Sequence, residues 1–279
     1  MRNRAVAMLS FRIFGDRSMS LAYSLIAAAL YAFAGWRALR ARFDREHLVL
    51  TLALLAHAAA LGQQVISGPN LVIGIAESVS MLGFLSSLML WVFCFREPLH
   101  ALGAVHYPIT AVWALAPALF TDHGHPIPFA DWKIGLHIVF SLLSAGLLTL
   151  ASIQAVATLS LDNMLRKPAN MMLLRRLPPL QTMERLLFQL IFFGFFLLSL
   201  TLVSGLLFVD NLFAQHLVHK TVLSFCAWLT FGLLLYGRLR HGWRGRTAVR
   251  WALSGYSVLV LAYFGSKLIL EQVLGRSWY

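Results

Sequence analysis

Charge is what this sequence has least of. Asp, Glu, Lys and Arg make up 12% of its 279 residues, against about 25% in a soluble domain that must wet its own surface. With 59% hydrophobic residues and a mean hydropathy of +0.73, a water-soluble fold is excluded. Cysteine is nearly missing too. Cys94 and Cys226 allow no secreted disulfide framework, and each lies in an apolar run, where a free thiol is expected to be buried as a small hydrophobe. Catalytic signatures are also lacking. There is no GxSxG, no HExxH, no phosphate-binding glycine loop and no close carboxylate pair, so no enzymatic chemistry is expected.

What is present is apolar length. A helix needs about 20 apolar residues to cross the hydrocarbon core. Windows of that kind fall at Ser20–Trp36, His47–Ile66, Leu71–Phe95, Leu99–Phe120, Trp132–Leu161, Leu186–Val209, His216–Tyr236 and Thr247–Leu270. The pattern predicts an all-α fold, a polytopic bundle of about eight transmembrane helices in the lipid bilayer. Trp36, Trp132, Trp243 and Trp251 stand at span boundaries, as an interfacial aromatic belt requires.

The net charge of +12 sits in short clusters between these spans. That pattern orients a membrane protein and leaves no continuous basic surface for nucleic acid. Fifteen Lys and Arg fall in the loops after spans one, three, five and seven, against seven on the opposite side. The positive-inside rule puts the fifteen in the cytoplasm and both termini on the periplasmic side. Arg2, Arg4, Arg12 and Arg17 disagree with an outward N-terminus. Residues 1–18 are therefore set apart as a tail. It reads as a misassigned start with Met19 as initiator, or as an interfacial segment; Ala5–Leu9 is too short for a signal-peptide core. Residues 19–279 form a single transmembrane domain, and Asp162–Arg185 reads as a short amphipathic helix on the inner membrane surface.

Ionisable groups inside hydrocarbon are costly, so each is a site candidate. His57 lies near the middle of span two, His106 in span four, and Glu77 in the outer part of span three, where it needs a partner such as His57, Gln63 or Gln64. Glu77, His57 and His106 also suit an ion or proton path. His47, His100 and His241 fall at cytoplasmic span ends and suit solvated or lipid-headgroup roles more than ligation. His123 and His125, beside Asp122 and Asp131, suit either a metal or a polar loop. His137 opens span five, and His216 and His219 open span seven, so His137 and His219 share a shallow outer depth. Two such imidazoles suit axial ligation of a planar haem iron, or plain interfacial hydrogen bonds. Below His137, the stripe Ser141, Ser144, Leu148 and Ser152 suits a ligand groove or close helix packing.

Four segments carry a family resemblance: Leu136-His137 through Gln154, the cytoplasmic Leu177 to Phe188, the Ser204-Gly205 step, and His219-Lys220 through Trp228. The chain resembles the cytochrome c assembly protein family (CcsA/CcmC-like), and within it the HemX/YpjD-like inner-membrane branch. The resemblance implies a non-catalytic, multi-pass protein of the bacterial inner membrane that handles haem. Its cofactor would be haem b, bound non-covalently, since no CxxCH is present. It implies His137 and His219 as axial ligands to haem iron and His57 as an intramembrane cofactor-binding histidine. The segment Asp210–His219 contains no tryptophan, so the family's WWD segment is missing and presentation of haem to an apocytochrome is not implied. The other reading is a cofactor-free accessory or regulatory subunit of a membrane-protein partner such as a transporter.

Overall fold

The computed structural model describes residues 2–40, 46–67, 70–97, 99–120, 125–128, 132–165, 179–208 and 215–265. Within these, side chains are described for 18–40, 46–66, 70–97, 99–120, 132–165, 179–208 and 220–263. Among the described residues eight α-helices run in chain order: α1 (Arg2–Leu39), α2 (Glu46–Val65), α3 (Ile75–Phe93), α4 (Gly103–Leu119), α5 (Trp132–Leu165), α6 (Leu180–Phe208), α7 (Gln215–His241) and α8 (Gly245–Val260). Seven stretches of the described residues are long and apolar enough to cross a membrane: Ser18–Leu39, α2, α3, His100–Leu119, α5, α6 and Lys220–His241. The eighth expected span is α8, continued by a π-turn at Leu261–Gly265; the rest of it lies outside the described residues. Leu55, Val112, Leu206 and Leu207 are 63% to 71% exposed, a surface suited to lipid and not to water.

Among the described residues three short strands join this helical frame. β1 (Ile66–Ser67), β2 (Asn70–Ile73) and β3 (His125–Pro128) form an antiparallel sheet in that order, with Leu71 opposite both Ile66 and Ile127. Composition alone announced no strand; Ile66 and the Leu71–Ile73 run had been absorbed into spans. The backbone of α1 is helical from Arg2 onward. Most of the expected surface helix in Asp162–Arg185, residues 166–178, lies outside the described residues, with α5 reaching in to Leu165 and α6 starting at Leu180.

The chain divides into two units, Met1–Asp131 and Trp132–Tyr279. In the first, α1 packs on α2 and α4, and α3 packs on α2 and α4. Glycine lets α1 and α4 approach: a Cβ at Gly35 would stand 2.7 Å from Cδ of Pro108, the proline inside α4. In the second unit α5 packs mainly on α6 and α8. Gly194 of α6 lies against Leu148, and its carbonyl accepts a 3.0 Å hydrogen bond from Ser144. Gln154, buried in α5, donates to the Met183 carbonyl at 2.9 Å. At the far end Gly245 N–H donates to Glu184 at 2.8 Å, and Trp243 stacks on Trp251 at 5.3 Å.

The α5–α6 contact gives a direct prediction. Gly194→Ala places a methyl 2.7 Å from the Leu148 side chain and should destabilise the protein by about 1–3 kcal/mol through overpacking. Gly62→Ala, whose Cβ meets nothing within 4 Å, should cost nothing. Thermal unfolding of the two detergent-purified variants checks both.

Candidate functional site

The polar core of the first unit is a set of hydroxyls around two histidines. His57 is fully buried on α2, with Nε2 2.9 Å from Ser80 Oγ and Nδ1 3.4 Å from the Tyr31 hydroxyl. Around the second histidine, Ser87 lies 3.1 Å from Nε2 of His106, which Ser86 and Thr110 approach at 3.2 and 3.3 Å. Both histidines therefore sit where hydrocarbon supplies no partners, and protein hydroxyls replace water. Nδ1 of His106 is buried and has no hydrogen-bond partner among the described residues.

Glu77 is not part of this set. It occupies the third position of α3, where its carboxylate accepts from Gly74 N–H at 2.9 Å and caps its own helix, a nearer partner than any on α2. Gln64, the proposed alternative, donates instead to Ser24 at 3.1 Å. The buried carboxylate of this unit is Glu46, which lies 2.9 Å from His100 Nδ1 and accepts from Tyr107 at 3.4 Å. His100 thus hydrogen-bonds a carboxylate, and His47 stacks on Phe95 at 4.2 Å. Asp122, His123 and Asp131 lie outside the described residues, as does the side chain of His125. Among the described residues no three His, Cys, Asp or Glu group as a metal site.

The second unit contains the cavity. It measures about 680 Å³ and is walled by α5, α6, α7 and the π-turn, within the range of pockets that enclose small ligands. Leu202, Val203, Leu206, Val222 and Phe225 make it largely apolar, and His137 and Lys220 bring polar chemistry to its wall. His137 lies half-buried on α5, with Nδ1 3.0 Å from Ser204 Oγ of α6. Beside it Gly205 keeps the wall thin: a Cβ there would stand 3.2 Å from His137 Cε1. Deeper in, Trp228 donates to Ser199 at 2.8 Å, and Phe195 and Phe225 each stack on its ring at 5.5 Å. The arrangement offers a flat apolar ligand a smooth aromatic floor, one imidazole and one ammonium.

Of the residues singled out from sequence, His137 lines this cavity and His57 does not, belonging to the first unit. The side chain of His219 lies outside the described residues, although its neighbour Lys220 lines the cavity. The serine stripe divides. Ser141 faces the cavity, whereas Ser144 and Leu148 meet Gly194, and Ser152 donates to its own helix at Thr149. Cys226 corrects an expectation: it is exposed and lines the cavity, while Cys94 is buried. An apolar run shows that a residue is in a membrane helix, not which face of the helix it occupies. Ser199, Trp228 and Tyr263 were not anticipated; the available signal was a tryptophan inside a span, away from either boundary.

The comparisons with known proteins agree with one another. The family model of the cytochrome C assembly protein matches residues 46–274. Inner membrane protein YpjD of Escherichia coli K12 is 32% identical over 265 residues, covering 92% of this chain and 95% of its own. An uncharacterized 28.8 kDa protein of Azospirillum brasilense is 33% identical over 57% of this chain and 58% of its own length. The cytochrome c biogenesis protein CcsA of Synechocystis is 25% identical over 38% of this chain and 32% of its own. No solved structure matches significantly. Matched by the family model over residues 46–274, and by YpjD along nearly its whole length, this chain belongs to the cytochrome c assembly protein family.

Proposed function

We propose that this chain is a non-catalytic haem-binding or haem-handling protein of the bacterial inner membrane, holding haem b non-covalently in the cavity of the second unit. The observation that carries the reading is His137, an imidazole on the wall of an otherwise apolar cavity of about 680 Å³. The donor set suits the group. Imidazole is the commonest protein ligand of haem iron, Trp228 and Phe225 supply aromatic walls, and Lys220 is a partner for a haem carboxylate. When bound, haem would supply the redox-active iron, and the protein would supply ligands and largely apolar surroundings.

His137 and His219 would hold the iron there, and His57 is kept apart from them as an intramembrane histidine of the first unit. The basic loops place the cytoplasm at the ends of α5 and α7 that carry Asp162 and Arg238. Both termini and the cavity's His137 end then face the periplasm. Relatives named as an inner membrane protein and as cytochrome c biogenesis proteins support the inner-membrane location and a haem-related role. The missing WWD segment leaves binding and handling of haem as the role, without a platform for an apocytochrome.

Detergent-purified protein reconstituted with hemin should show a Soret band that His137→Ala abolishes and His219→Ala weakens or shifts. Colourless wild-type protein that takes up no hemin would instead favour the cofactor-free accessory role. Lys220→Ala should keep the Soret position but raise the hemin Kd by about three- to tenfold, the loss of roughly 1 kcal/mol of charge-assisted bonding. An unchanged Kd in a titration would remove Lys220 from the site.

A further inference from the structure

A serine hydroxyl carries one hydrogen and two lone pairs, so its partners fix one another's roles. Ser204 gives its hydrogen to the carbonyl of Thr201, one turn back on α6, at 3.0 Å. His137 Nδ1 lies 3.0 Å from the same oxygen. With its hydrogen committed, that oxygen accepts, and Nδ1 of His137 must carry the proton that it donates. The lone pair then belongs to Nε2. Ser204 is buried and does not line the cavity, whereas His137 does. The ring is thus held from behind, and Gly205 leaves its Cε1 edge the only clearance a side chain would have taken.

We infer that Ser204 is a positioning residue for the cavity: by accepting from Nδ1–H it sets the tautomer of His137 and reserves Nε2 for an electron-pair acceptor in the cavity. The proposal deepens the haem reading and rests on it for the identity of that acceptor, an iron. An imidazole whose other nitrogen is bonded to a fixed acceptor is oriented and made a better donor to a metal, and loss of such a partner typically weakens metal binding 10- to 100-fold. The Ser204-Gly205 step thereby has two tasks, an acceptor at its first residue and an empty Cβ position at its second.

Two measurements on the full chain in detergent keep this inference separable from the haem reading. In haem-free protein labelled with ¹⁵N-histidine, wild type should show His137 protonated at Nδ1. Ser204→Ala should move it toward the Nε2-protonated form, and Ser204→Thr, which keeps the hydroxyl, should restore the wild-type pattern. In hemin titrations Ser204→Ala should raise Kd at least tenfold while Ser204→Thr stays near wild type. An unchanged ¹⁵N pattern in Ser204→Ala overturns the inference whatever hemin does. The expected ¹⁵N change in a protein that binds no hemin leaves Ser204's role standing and sinks the haem reading alone.

Discussion

Everything in this structure answers to one constraint: in hydrocarbon a polar group has no water to turn to, so each must find a partner inside the protein. The simplest answers are local. Ser86, Thr149, Thr158, Ser199 and Thr201 all donate to a carbonyl one turn back on their own helices, which hides the hydroxyl at little cost to the helix. That habit has a consequence beyond satisfaction. A hydroxyl whose hydrogen is spent on its own helix can only accept from the next helix. Ser204 does this toward His137, and Ser86 does it toward His106.

The two units solve the constraint differently. In the first, Tyr31, His57, Ser80, Ser87, His106 and Thr110 bond to one another across four helices, leaving Nδ1 of His106 without a partner among the described residues, and the small residues of α1 and α3 let those helices come close. In the second, the polar bonds lie low between α5 and α6 at Ser144 and Gln154, while α5, α6 and α7 enclose space near His137. A filled polar core and an open, mainly apolar cavity are opposite uses of the same building material. The cavity is where a ligand contributes what the protein leaves out.

Much of this was legible in the sequence. Apolar runs of membrane length gave the helices, with bounds displaced by a few residues, and the histidine at the head of α5 marked the cavity. What periodicity cannot give is which face of a helix meets protein. Cys226 and Ser141 belong to apolar or small-residue patterns equally compatible with packing and with a cavity, and only the turn of α5 and α7 decides. Glu77 was misread for a related reason. A carboxylate within a hydrophobic window looks like a buried charge seeking a distant partner, yet the β2 strand ends just before it, so it stands in the first turn of α3 with free backbone N–H groups at hand. Glu46 was missed because it sits one residue outside its apolar run, and burial there comes from neighbouring helices, which no local pattern records.

The length of α5 has a physical outcome of its own. Its 34 residues span about 51 Å, against a hydrocarbon core of about 30 Å. Asp162 and Asn163, tied to Arg246 near one end, mark where it meets water. The remaining excess lies toward Trp132, which is 64% exposed, and is accommodated by tilt or by reaching past the lipid tails. His137 rides on that end of the rod. The depth of the cavity mouth is therefore geared to bilayer thickness: a thinner membrane lifts His137 toward the aqueous phase, and a thicker one draws it under the headgroups.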